Sequence, residues 1–479
     1  MTEELQRMTG LYVYPRSVTE VDGTTFFLGR GSEGKVLGII GDTEGFSGTR
    51  REEALLCSLT AANAAVLRSR LSWLRPQSLG LKTSAGCGDR LGSATPGHIH
   101  ALRQVGGITP ILAQQSMREN ARTGRSPQQV IDDAMWGVFQ EGWRQAWGAD
   151  ADHLKTTDDV DICVEAGYTF YTVDPREHVD NAAHTDPVEV LRSKFDALPW
   201  DDLLDLPERM RSRYVGHRFW VETFFLEFDE TALLRAACKY ERALLHAARM
   251  YTHLTAAMGE RPFELEVSVD ETDTPTSPLE HFFIATELRR LGVAWVSLAP
   301  RYIGRFEKGV DYIGDLKELE ADFAQHAAIA RALGPYKLSL HSGSDKFSVY
   351  PIAARQAKEL VHLKTAGTSY LEALRAIAGV DPDLFRAILA LAHDRYGEDK
   401  ATYHVSADPS KVPLPNELTD GQLPGVLDLF DGRQLLHVTF GSVLDRYGER
   451  LIAALDTHEE EHYRALETHF IKHLQPFSA

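Results

Sequence analysis

Short apolar runs alternate with longer, helix-periodic ones along most of this chain. The short runs are Leu79–Thr83, Ile108–Ala113, one ending at His153, Tyr168–Asp174, Phe263–Asp270, Val293–Ala299, Tyr336–His341 and Tyr403–Ala407. Each reads as a strand. Runs such as Gln128–Trp147 and Pro278–Leu291 read as helices between them. Strand–helix alternation implies a parallel sheet with helices outside it. Eight expected strands point to an α/β fold of the (β/α)8, TIM-barrel type.

Three segments depart from that alternation. Residues 1–70 read as an N-terminal extension packed on the barrel, with a turn at Gly31–Gly34 between strand-like runs and an Ala/Leu-rich helix over Glu52–Leu71. Residues 71–479 read as the barrel itself. Within it, 175–262 is a long insertion after strand four. Its later part, Glu230–Met258, is an amphipathic helix with Asp229 as N-cap. That helix would either cover the barrel mouth or lie along its side. The C-terminal segment from Asp456 is helical and carries His458, His462, His469 and His473. Histidines at that spacing can bind metal, but a solvated helix face is the reading expected here.

Composition changes the picture in two ways. The 479 residues, 43% hydrophobic and 25% charged, suit a globular chain with a large core. The net charge of -18 argues against nucleic-acid binding, since polyphosphate would be repelled. A small anionic substrate stays compatible, because local arginines and a metal reverse the field inside a pocket. The 4 cysteines suggest neither a zinc knuckle nor a disulfide framework. No basic-then-apolar leader opens the chain and no apolar stretch is long enough to span a membrane, so the expected location is cytoplasmic. No feature of the sequence fixes an oligomeric state.

Candidate chemistry gathers where barrel enzymes keep it, at the C-terminal ends of strands. Asp152 and His153 end strand three, a candidate base beside a candidate metal ligand. On strand five, period two puts Glu264, Glu266, Ser268 and Asp270 on one face and Leu265, Val267 and Val269 on the other. The aliphatic set should pack on the helices, so the carboxylates point inward, where they must be paired, protonated or metal-bound. Pairing, for example with Lys82, is the expectation for Glu264, and functional use the expectation for Glu266. Pro300–Gly309 follows strand six. His341 and the turn Ser342-Gly343-Ser344 end strand seven. The Gly-rich stretch Gly86–His98 follows strand one and contains Asp89 and Arg90, the latter able to hold a carboxylate bidentately. His98, His100, His404 and His437 are expected to be core histidines.

The chain resembles the tagaturonate (fructuronate) epimerase family of bacterial hexuronate catabolism. The resembling motifs are Gly88–Gly92 with Ala94–His98, Ala151–Lys155, Ser268–Thr272, Leu298–Arg301 with Lys308–Asp315, Tyr336–Phe347 and His437–Ser442. The resemblance implies a divalent-metal-dependent interconversion of D-tagaturonate and D-fructuronate, with a small sugar acid as ligand. A more distant resemblance, to class II metal-dependent aldolases, implies roles. Asp152 matches their catalytic Asp, His153 and His341 match metal histidines, and Glu266 matches the second Glu of their Glu-x-Glu strand. Their remaining metal histidine has Glu307 in its place here. The ion implied is zinc, manganese, nickel or cobalt.

The two ketouronates differ at C4 of the ketose, which is C3 counted from the carboxylate. The C4 proton is not adjacent to the C2 ketone, so simple deprotonation lacks a stabilised intermediate. Oxidation by a nicotinamide is disfavoured, because no strand-Gly-x-Gly-x-x-Gly-helix fingerprint is present. Retro-aldol cleavage of C3–C4 remains. The expected roles are Asp152 as base, Glu266 as partner acid, His153, Glu307 and His341 as metal ligands, and Asp89, Arg90, Ser342, Gly343 and Ser344 as substrate anchors. A true aldolase, a metal-dependent sugar isomerase and a non-catalytic sugar-binding barrel are the competing readings.

Overall fold

Eight short parallel strands close on themselves in a computed structural model that describes residues 1–478, Thr402 by its backbone alone. They are β1 (Ser84–Gly86), β2 (Thr109–Ser116), β3 (Gly148–Leu154), β4 (Phe170–Val173), β5 (Glu264–Ser268), β6 (Ser297–Ala299), β7 (Lys337–Leu340) and β8 (Val361–Lys364). Every neighbouring pair is parallel, with β8 closing on β1. The alternation read on strand five holds. Leu265 and Val267 join the large apolar cluster between strands and helices, and Glu264, Glu266 and Ser268 are buried with polar partners inside.

Two expected strands are corrected. Leu79–Thr83 is a turn at the bottom of the barrel, and the first strand follows it. The Leu79 side chain joins Ile111 and Phe170 in a small apolar cluster, while Leu81 is exposed. The backbone N–H groups of Leu79 and Gly80 donate to the Glu264 carboxylate. Glu264 therefore closes the barrel floor on backbone donors, and Lys82 is exposed at the surface. Tyr403–Ala407, expected as strand eight, is an irregular segment at the mouth. The eighth strand is Val361–Lys364.

The N-terminal extension is more sheet than helix. Six antiparallel strands within Tyr12–Cys57 form it, with the expected turn at Gly31–Gly34. The helix expected over Glu52–Leu71 is only Ala61–Arg70, capped by Thr60. Glu52 has φ 54°, which breaks a helix there, and Ala54–Cys57 pair as a strand instead. In the 175–262 insertion the 29-residue helix Glu230–Met258 forms with Asp229 accepting from the Ala232 N–H. It packs beside the helices Thr157–Ala166 and Pro278–Arg290, so it lies along the barrel wall rather than over the mouth.

Beyond β8 the chain builds a second apolar cluster from helices between Tyr370 and Leu455. The last helix, Glu459–Leu474, returns to the barrel through Leu466, Phe470 and Leu474. His462, His469 and His473 on it are buried, not solvated. His469 meets the Asp345 carboxylate at 2.6 Å, and His473 Nε2 accepts from the Asp345 N–H at 2.9 Å. These pairings satisfy polar groups that would otherwise need water. The four cysteines are free and buried. Among the described residues, no helix is long and apolar enough to cross a membrane.

Candidate active site

Adjacent residues of a regular strand face opposite ways, so Asp152 and His153 could not both serve one mouth. The fold solves this with an irregularity. Tyr171 pairs with Ala151 and Val173 with Leu154, so β3 carries one residue more than β4 across that stretch. His153 takes φ 57°, a costly conformation for a residue with a Cβ. Both side chains now line the same inner pocket. The Asp152 carboxylate sits 2.7 Å from His153 Nδ1. It also accepts from Lys364 Nζ at 2.7 Å and from Gln114 Nε2 at 3.0 Å.

Lys364, at the end of β8, organises the centre. Its ammonium lies 2.7 Å from Asp152, 3.0 Å from Asp150 and 2.8 Å from Glu266, and 2.6 Å from Thr172 Oγ1. Three carboxylates around one ammonium leave negative charge over. Burial is the largest influence on Asp152 and acts upward, but His153 and Lys364 outweigh it and hold the group well below the usual carboxylate range. Glu266 behaves alike. Burial raises it, while Lys364 and His341 hold it well down, and Ser297 donates to its other oxygen at 2.6 Å. Asp150 is the member that yields: burial pushes it up to about 7.

His341 bridges two carboxylates, with Nε2 2.7 Å from Glu266 and Nδ1 3.0 Å from Asp270. His153, Asp270 and His341 each bring one donor atom to a group within 4.8 Å of one another. Two imidazoles and a carboxylate suit a divalent transition metal, and three protein ligands leave a position open, as catalytic sites do. Asp152 behind His153 and Glu266 behind His341 are the carboxylates that usually orient metal-binding histidines. The donor set therefore fits a cation. Glu307 is not in this group. Its carboxylate accepts from the Ser406 N–H at 3.0 Å, Ser406 Oγ at 2.7 Å and Gln434 Nε2 at 2.8 Å, and so pins the Tyr403–Ser406 segment to the mouth.

The expected substrate anchors divide. Asp89 is consumed by the backbone: it accepts from the N–H groups of Leu91, Gly92 and Ala94. Arg90 lines the inner pocket but already donates twice to Glu119, at 2.9 and 2.6 Å, and stacks on Phe440. Ser342 lines both the inner pocket and the outer cavity. Gly343 does not line them. A Cβ there would meet Leu340 O at 2.5 Å, so glycine serves the packing of β7 on β8. Ser344 is buried and donates to Ala366 O. Of the other histidines, His98 and His437 are buried as expected, His100 is partly exposed and paired with Glu141, and His404 lines the cavity.

The inner pocket shares Asp270, His341, Arg118, Lys308 and Tyr403 with a cavity of about 410 Å³ that Arg301 also lines. The sequence profile of the family described as UxaE, tagaturonate epimerase, matches residues 14–477. A tagaturonate/fructuronate epimerase of Thermotoga maritima is 45% identical over 475 residues, 97% of this chain and 96% of that one. The chain belongs to the tagaturonate epimerase family. Crystal structures of fructuronate-tagaturonate epimerase UxaE from Cohnella laeviribosi share the fold throughout. The native structure and the one complexed with one glycerol each superpose with a TM-score of 0.94 at 37% identity, covering 99% of this chain and 98% of theirs.

Three residues that line or organise this pocket are not among the sequence candidates. Asp270 lies on the polar face of strand five without being a candidate for a role. Its signal was that face, continued two residues past the strand end. Lys364 is not legible as a candidate because Val361–Lys364 does not read as a strand. Lys308 sits beside Glu307 in a stretch already marked. Burial holds its ammonium below the ordinary lysine value, against the pull of Glu119.

Proposed function

We propose that this protein interconverts D-tagaturonate and D-fructuronate at C4 of the ketose, with a divalent cation held by His153, His341 and Asp270. One observation carries the reading. At the mouth of a barrel, two histidines and a carboxylate converge, each histidine backed by a carboxylate, with Asp152 beside them. The relatives named above are tagaturonate/fructuronate epimerases, which supports this substrate pair. When bound, the cation supplies a Lewis acid for the C2 carbonyl.

The chain's own residues supply the remainder. Asp152 takes the proton of the C4 hydroxyl as the C3–C4 bond breaks, and its electron pair passes into the enediolate of the C1–C3 half. C4 becomes an aldehyde, turns its other face and is attacked again, and Asp152 returns the proton. Glu266, held ionised by Lys364 and His341, is therefore assigned to orienting His341 instead of the acid role its strand position suggested. Glu307 gives up its expected place among the ligands to Asp270. Lys364 keeps Asp152 ionised, and so ready to accept, at neutral pH.

Proton NMR of D-tagaturonate incubated with metal-loaded protein tests the proposal. The expected result is conversion to a tagaturonate–fructuronate mixture. Accumulation of three-carbon fragments would make the protein an aldolase, and an aldose product would make it an isomerase; either overturns the epimerase reading.

A further inference from the structure

Three cations at the centre and along the cavity wall lack an anion among the described residues, while the others have one. Arg90 is paired with Glu119, Arg176 with Asp174 and Glu271, Arg305 with Glu307, and Lys364 with its three carboxylates. Lys308 makes no hydrogen bond or ion pair among the described residues, although it lines both the inner pocket and the outer cavity. Arg118 also lines both, and among the described residues its guanidinium has only the Tyr403 ring, 5.8 Å away. Arg301, which lines the outer cavity alone, has no carboxylate partner among the described residues either. In a chain of net charge -18, carboxylates to pair with are plentiful. Lys308 is partly buried and Arg118 is exposed toward the mouth, and cations without an anion beside an acidic centre set up a local field that favours an anion supplied from outside.

We propose that Lys308 and Arg118 form the subsite for the substrate's carboxylate and thereby select acidic ketoses over neutral ones. The identity of that anion rests on the epimerase reading above; the existence of the anion subsite does not. The position is chemically apt. Asp270 and His341 mark the carbonyl end of the site, and Lys308 and Arg118 share the same inner pocket with them. A uronate carries its carboxylate at the opposite end from its ketone. When C3–C4 opens, that carboxylate stays with the aldehyde half, the half without the C2 carbonyl. An anchor there holds the aldehyde while it turns. It also explains why the expected anchor Arg90 is free to be spent on Glu119.

The test compares binding of D-gluconate and D-sorbitol, a charged and a neutral six-carbon polyol, by calorimetry on metal-loaded protein. Gluconate should bind ~10–100-fold more tightly than sorbitol, the range of one or two charge-assisted hydrogen bonds. Lys308→Gln should bring the ratio close to one while leaving sorbitol binding and metal content unchanged, and Arg118→Gln should lower the ratio in part. If wild-type protein does not favour gluconate, or if Lys308→Gln keeps the preference, the subsite is wrong. Equal loss of both ligands with loss of metal would likewise overturn it, marking Lys308 as structural. Because the readout is binding, a protein that prefers gluconate through Lys308 yet converts no tagaturonate would keep this inference and sink the epimerase reading.

Discussion

His153 can be a ligand only because its backbone leaves the strand conformation. The φ of 57° and the extra residue in β3 bring it to the same pocket as Asp152, and the two are then tied at 2.7 Å. Separate roles follow for separate residues. Alanine at His153, His341 or Asp270 should strip the cation and activity together, as read by metal analysis of the purified variants. Glu307→Gln should keep the cation, because that carboxylate is spent on Ser406 and Gln434; loss of metal there would restore Glu307 to the ligand set. Asp152→Asn should keep the metal and lose ~10²–10⁴-fold in rate, the range for removing a general base. If metal affinity falls with it, Asp152 chiefly orients His153. Asp152 and His153 were legible as adjacent letters, but the bulge that makes them work together was not, since a bulge depends on what the partner strand does.

The C-terminal helix Glu459–Leu474 shows how an element's burial writes its pH dependence. Burial pushes His462 on it, and His98 on the helix Thr95–Val105 packed against it, down to about 4 and His473 down to about 3, so all three are neutral in the folded protein. The unfolded chain takes up these protons near 6.5. Stability is thus fully present above about pH 6.5 and is lost as pH falls toward those folded values, by on the order of 3 kcal/mol for His98 alone. Thermal unfolding followed from pH 7.5 to 4.5 should show a steady fall in midpoint. A flat profile across that range would mean these histidines stay in contact with water. The sequence showed the helix but not its buried face, because four histidines among Glu and Lys look the same whether or not Asp345 lies opposite. Strands β2 to β7 and the helix capped by Asp229 were readable from period and caps. Strand β1 is the three small residues Ser84, Ala85 and Gly86, with no apolar run around them, and β8 alternates Val361 and Leu363 with His362 and Lys364, whereas the equally short β4, β6 and β7 lie in longer apolar runs; the Leu79 turn borrowed a strand's alternation for packing at the barrel floor.

At the scale of the molecule, the barrel gathers its reactive groups from β3, β5, β7 and β8, and the helical cluster beyond β8 helps to roof them. Glu307 and Gln434 clamp the Tyr403–Ser406 segment, and Arg433 reaches Asp345 just past the Ser342 turn. Replacing Arg433 by Leu would leave Asp345 and Glu372 without their shared cation and should destabilise the fold by ~3–5 kcal/mol, the cost of breaking a buried pair; denaturant unfolding measures it, and a change under 1 kcal/mol would contradict the network. On the proposed chemistry this architecture breaks and re-forms the C3–C4 bond. Substrate carrying deuterium at C4 tests it most directly. The product should keep the C4 deuterium in ordinary water, with no primary isotope effect on the rate, because hydrogen never leaves that carbon. Washout of the label into solvent would mean direct deprotonation at C4. Retention with a primary effect would mean oxidation there. Either result would contradict the account.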